Sequence, residues 1–150
     1  MAIDVITGGH LMAVQLNHTI VLTDDRRATA DFVTEVLGLE PARSFADEFF
    51  LVVELANNVE LEVLQIDGDY PGQHYAFLVS EAEFDQIFDR IKRKTIQYYA
   101  GHGNQLPGEI NTLEGGRGMY FNIPGGHNFE VLTRPYGADA EAIALKEAGR

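Results

Sequence analysis

Four residues of this 150-residue chain have the right types and spacing to hold a divalent cation. His18 and His74 each stand near the start of a strand-like run, Leu16-Asn17-His18-Thr19-Ile20-Val21-Leu22 and Gly72-Gln73-His74-Tyr75-Ala76-Phe77-Leu78. Glu62 and Glu130 stand in matching runs, Leu61-Glu62-Val63-Leu64-Gln65 and Phe129-Glu130-Val131-Leu132-Thr133. One His and one Glu per half is the pattern of an internal repeat. Imidazole nitrogen and carboxylate oxygen together suit Fe(II), Mn(II), Ni(II), Co(II) or Zn(II). Such an ion could act as a Lewis acid on a bound substrate.

The elements that must position these donors follow from periodicity. Their pattern predicts a strand at 14–22 and a helix at 25–37, capped by Thr23 or Asp24, with the apolar stripe Phe32, Val33, Val36, Leu37. Gly38 suits the helix exit. Strands at 39–45, 49–55 and 58–66 follow, the last two joined through Asn57-Asn58. After the short linker 67–72 the order repeats. A strand at 73–79 leads to a helix at 81–94, with Ser80 and Glu83 at capping-box spacing and the stripe Phe84, Ile87, Phe88, Ile91. A strand near 96–100, a Gly-rich loop at 101–116, and strands at 117–123 and 127–134 around Pro124-Gly125-Gly126 complete the second half.

Side chains alternate between the two faces of a strand. Val59, Leu61 and Val63 therefore oppose Glu60, Glu62 and Leu64. Tyr75, Phe77 and Val79 oppose His74, Ala76 and Leu78, and Phe129 and Val131 oppose Asn128, Glu130 and Leu132. Each strand can turn its apolar set toward a helix and its His or Glu away from it. The expected fold class is α+β, two βαβββ modules forming a curved eight-stranded mixed sheet around a metal-binding cleft. Four donors would project into one concave surface. Glu60 shares a face with Glu62, but the repeat alignment favours Glu62. His127 has the opposite parity to Glu130 and is expected to pack or hydrogen-bond locally. His102, in the Gly-rich loop, is expected to be exposed. Of the aromatics, Tyr120 and one of Tyr98 or Tyr99 are expected to face the cleft.

The domain plan is an N-terminal extension at 1–13, which contains His10, a single domain at 14–136 made of modules 14–66 and 73–134, and a C-terminal tail at 137–150. The net charge of −12 argues against nucleic acid and anionic membrane surfaces as partners. No apolar run reaches the ~18 residues of a membrane span. Cysteine is absent from the sequence, which removes thiolate ligands and agrees with a cytoplasmic protein.

On these residues the chain resembles the vicinal oxygen chelate superfamily: glyoxalase I, fosfomycin and bleomycin resistance proteins, and extradiol dioxygenases. The most specific stretch is Gly118-Met119-Tyr120-Phe121-Asn122-Ile123-Pro124-Gly125-Gly126-His127-Asn128-Phe129-Glu130. The resemblance implies His18, His74 and Glu130 as metal ligands, Glu62 as a ligand or general base, and Tyr120 beside the substrate. It also implies a homodimer, whose modules pair within one chain or swap between two. The chain departs from the extradiol pattern at Thr112, where a His is expected, and at Ile123, usually polar or acidic. Dioxygenase and glyoxalase-type isomerase or lyase chemistry both remain open. A rival reading is a binding protein of the bleomycin-resistance kind, holding a small, preferably cationic ligand without catalysis.

Overall fold

Two amphipathic helices and nine strands follow from this pattern in the computed structural model, which describes residues 14–138. The first module runs β1 (His18–Thr23), α1 (Arg26–Leu37), β2 (Arg43–Phe45), β3 (Phe50–Glu54), β4 (Glu60–Gln65). The second runs β5 (His74–Leu78), α2 (Glu81–Arg93), β6 (Tyr98–Gly101), β7 (Gln105–Pro107), β8 (Gly118–Ile123), β9 (His127–Leu132). The Gly-rich loop thus contains one short strand, β7, that periodicity does not reveal. The 1–13 extension with His10, and the tail beyond 138, lie outside the described residues. Among the described residues no helix is long and apolar enough to cross a membrane.

The helix ends show which local signals prevailed. The Ser80–Glu83 capping box forms in full. The cap of α1 is Asp25, whose carboxylate accepts from the Ala28 N–H at 3.0 Å, rather than Thr23 or Asp24. Thr23 is fully buried and its hydroxyl is already bonded to that of Thr29 at 2.7 Å, so the helix starts later. Gly38 takes φ 72° at the exit, the left-handed conformation that L side chains resist.

The strands form two sheets, ordered β1-β4-β3-β2 and β5-β9-β8-β6-β7. Each is mixed: the first and last strands of a module pair in parallel, and the others antiparallel. The α+β class and the paired modules are as expected, with the strands divided between two hydrogen-bonded sheets. β1 and β5 are both edge strands.

The modules meet through their apolar faces. Val21, Leu61 and Val63 of the first sheet share one buried cluster with Phe121, Phe129 and Val131 of the second, and with both helices. Each such side chain contributes about 1.5–3 kcal/mol when taken out of water. One polar side chain is built into this junction. His127, 1% exposed, accepts from the Gln73 N–H through Nδ1 at 2.9 Å and donates from Nε2 to the Leu22 carbonyl at 2.6 Å. The carbonyl can only accept, so the proton sits on Nε2. The ring also stacks on Tyr70 at 5.7 Å. His127 does hydrogen-bond, but not locally as expected: its partners lie 54 and 105 residues away, and the ring links the end of β1 to the start of β5.

Replacing His127 by Ala removes both bonds and leaves a carbonyl and an amide without partners at the junction. The expected cost is about 3 kcal/mol, read as a lower urea midpoint. An unchanged midpoint would show that apolar packing alone holds the modules together.

Candidate metal and ligand site

Parallel pairing puts the candidate donors in register. In the second module His74 lies opposite Asn128 and Ala76 opposite Glu130. In the first, His18 lies opposite Glu60 and Ile20 opposite Glu62. Each acid therefore sits one same-face step beyond its histidine, and the repeat seen in the sequence is repeated in the ladder. Glu60 is engaged elsewhere: the Arg43 guanidinium donates to it at 2.6 Å and to Glu54 at 3.0 Å.

In the second module the pair is in contact, His74 Nε2 lying 3.1 Å from Glu130 Oε2. Glu130 is 2% exposed, while the His74 side chain is about half exposed. The tautomer of His74 follows from its neighbours. Asn128 donates from Nδ2 to Asn122 Oδ1 at 3.0 Å, so its Oδ1 faces His74 Nδ1 at 2.8 Å and accepts from it. Asn122 in turn donates to Asn104 Oδ1 at 3.0 Å. This ladder places the proton of a neutral His74 on Nδ1. The Nε2 lone pair then faces a carboxylate oxygen, two acceptors at hydrogen-bond distance. A cation reconciles them, either a second proton on the ring or a metal ion. Outer partners that orient a ligand histidine in this way are a regular feature of metal sites. By its chemistry, the pair fits half of such a site.

Tyr120 shares this face, opposite Glu130 in the β8–β9 ladder, and its ring stacks on His74 at 5.8 Å. Tyr99 lies opposite Tyr120 and faces the same way, whereas Tyr98 pairs with Phe121 and packs edge-on against Phe88 at 5.1 Å. Tyr136, which no periodicity or repeat in the sequence marks, donates its phenol proton to Glu130 Oε1 and lies 2.9 Å from the Tyr120 hydroxyl. Desolvation, then the bond to Glu130, raises the Tyr136 phenol well above the usual tyrosine range. Burial likewise raises Tyr120. Both phenols stay protonated at neutral pH. The only sequence signal for Tyr136 was its distance of six residues from Glu130, and the corresponding position after Glu62 is Gly68.

Within one chain the four candidate donors stay apart, His74 and Glu130 on the second sheet and His18 and Glu62 on the first. Among the described residues no three His, Asp or Glu side chains are gathered to hold a metal ion. His18 and Glu62 lie on the first sheet, where His18 is exposed and bonds Asn17 at 2.7 Å and Glu62 is half-buried. The reason is the packing: the modules join through their helix-covered faces, so the donor faces are not brought together. A cavity of about 600 Å³ does open between the modules, but Leu61, Tyr75, Phe77 and Arg90 of the helix side line it, and it touches the site only at His74. His102, in the β6–β7 turn, is not part of any such donor group.

Comparison with known proteins agrees with this architecture. The sequence profile described as Glyoxalase/Bleomycin resistance protein/Dioxygenase superfamily matches residues 15–131. The metallothiol transferase FosB of Lysinibacillus sphaericus (strain C3-41) is 29% identical over 126 residues, 81% of this chain and 84% of its own. Two solved structures are similar over nearly their whole length. The oxidase ChaP-H1 has 49% identity and a TM-score of 0.79, covering 83% of this chain and 99% of its own. The oxidase ChaP-H2 has 50% identity and a TM-score of 0.80, covering 85% and 98%.

The ladder gives a prediction that needs no metal. In the wild type, the neutral His74 ring should show the Nδ1–H tautomer by ¹⁵N NMR. Asn128→Ala removes the acceptor and should yield a mixture dominated by Nε2–H, the form commoner in free imidazole side chains. The Nδ1–H form persisting unchanged in the variant would refute the assigned role of Asn128.

Proposed function

Because the chain belongs to the Glyoxalase/Bleomycin resistance protein/Dioxygenase superfamily, we propose that it is a metal-dependent enzyme whose site is shared between two copies. His74 and Glu130 of one copy would face His18 and Glu62 of the other. The observation that carries this reading is the His74–Glu130 contact, in which the neighbours direct the ring proton away from the carboxylate. The equal register of His18 and Glu62 on the other sheet supports a second half-site that its own chain leaves open. The donor faces also carry exposed apolar side chains, Ile20, Phe45 and Leu78, which suit cover by a second copy. A homodimer has the two-fold symmetry that would form two such sites at once.

Fe(II), Mn(II), Ni(II), Co(II) or Zn(II) bound there would polarise two adjacent oxygens of a small substrate, and iron would add redox chemistry with dioxygen. The protein's own groups have definite tasks. His74 presents a neutral nitrogen and Glu130 a single buried charge. Tyr120 commits its proton to Tyr136, which leaves its oxygen free to accept from a substrate hydroxyl. Glu62, half-buried and apart from the Tyr136 network, is placed to serve as a further ligand or as the base that moves a substrate proton. Among the reaction classes, oxidation is favoured over isomerase or lyase chemistry, because the two oxidases are about half identical to this chain. The transferase relative is more distant.

Metal content of protein purified without oxygen tests the reading, beside His18→Ala, His74→Ala and Glu130→Ala. The wild type should hold about one equivalent per chain and each variant far less. Equal amounts of His18→Ala and Glu130→Ala, unfolded and refolded together, should recover about a quarter of the sites: half the dimers are mixed, and each has one intact site. No recovery would place all ligands of a site in one chain. No metal uptake by the wild type would displace the enzyme reading in favour of a ligand-binding protein, to which the charge of −12 would draw cations.

A further inference from the structure

We propose that Tyr136 is a positioning residue that keeps one oxygen of Glu130 out of the metal's ligand set, so that Glu130 can offer only Oε2. The proposal rests on the metal-site reading above and adds a residue with no counterpart in the first module. A carboxylate can bind a cation through one oxygen or both, and nothing in the strand geometry of β9 chooses between them. Here the two oxygens have different partners. Oε2 faces His74 Nε2 at 3.1 Å, and Oε1 accepts the phenol proton of Tyr136.

The direction of the hydrogen-bond chain follows from the proton count. The ionised carboxylate can only accept, so the Tyr136 proton goes to Glu130. The 2.9 Å contact between the two phenols must then use the proton of Tyr120, with Tyr136 accepting. A phenol that receives one hydrogen bond donates its own more strongly. Tyr120 is itself fixed: it is 7% exposed, in β8, opposite Glu130.

Tyr136 is not held in place by burial, since 55% of it is exposed. It is held by its bonds. The residue after it, Gly137, donates its N–H to Glu114 Oε1 at 3.1 Å, which ties the segment beyond β9 to the loop before β8. The hydroxyl is therefore aimed by two anchors that are independent of ring packing. The consequence for function is stoichiometric: a carboxylate restricted to one oxygen leaves one more coordination position free for substrate.

Cobalt(II) is a suitable probe, because its visible bands change in energy and lose intensity as coordination number rises. The full-length protein is titrated with Co(II), as wild type, Tyr136→Phe, Glu130→Gln and His74→Ala, with the unfolding transition of each as a control for folding. Tyr136→Phe removes one hydroxyl from a mostly exposed ring and should melt close to the wild type. It should still bind Co(II), with weaker and shifted visible bands as Oε1 joins the metal. Identical spectra for wild type and Tyr136→Phe would overturn the proposal while leaving the metal site intact. So would loss of binding by a folded Tyr136→Phe, since His74 and Oε2 remain. Full Co(II) binding by both Glu130→Gln and His74→Ala would instead remove the site itself, a different result from either.

Discussion

Parallel pairing of the first and last strands of each module is the constraint on which the other features depend. It brings residues far apart in sequence into fixed opposition, Ala76 with Glu130 and Ile20 with Glu62. Because strand side chains alternate strictly, a slip of one residue in β9 would turn Glu130 into the core and Phe129 and Val131 out of it. The register is thus enforced by apolar burial, and the polar constellation is a consequence. The aromatic cluster around Phe129, which meets Tyr75, Phe77 and Phe121, is what makes such a slip costly.

The same cores decide how the modules stand to one another. Each sheet has a helix-covered face, and both contribute to a single buried cluster. This leaves the polar face of each sheet on the outside of the junction, with a pair of donors on each. His127 marks the junction, because its ring gives each module one directional bond that apolar contacts cannot supply. The repeat that aligns these residues in sequence is therefore divided by the fold, and only the proposed dimer would reunite them.

On the second module's polar face the charge of Glu130 is buried but well provided for. An ionised carboxylate removed from water costs several kcal/mol unless it is bonded. One oxygen of Glu130 accepts the Tyr136 proton, and the other faces His74 Nε2 across a gap that a shared cation would fill. The three asparagines behind His74 and the two tyrosines beside Glu130 are neutral and directional. They orient the two donors without adding a competing charge.

Much of this was legible in the sequence. The alternation in 58–66, 73–79 and 127–134 placed Glu62, His74 and Glu130 on the face opposite the buried apolar set, the Ser80–Glu83 cap and both helices formed, and His127 has the opposite parity to Glu130 and is buried. These features are local, set by period and by residue type within a few positions. What sequence could not reveal depends on neighbours that are distant along the chain. Strand β7 gains its definition from pairing with β6, and the cap of α1 moved to Asp25 because Thr29 already engages Thr23. Tyr136 entered the site only when the chain beyond β9 turned back over Glu130. The division of the four donors between two faces followed from which surfaces of the sheets pack together. The amino-acid pattern determined which residues carry imidazole or carboxylate groups and to which face of its strand each belongs. Tertiary packing alone decided which of them meet, because a face is a property of one strand and a site is a relation between several.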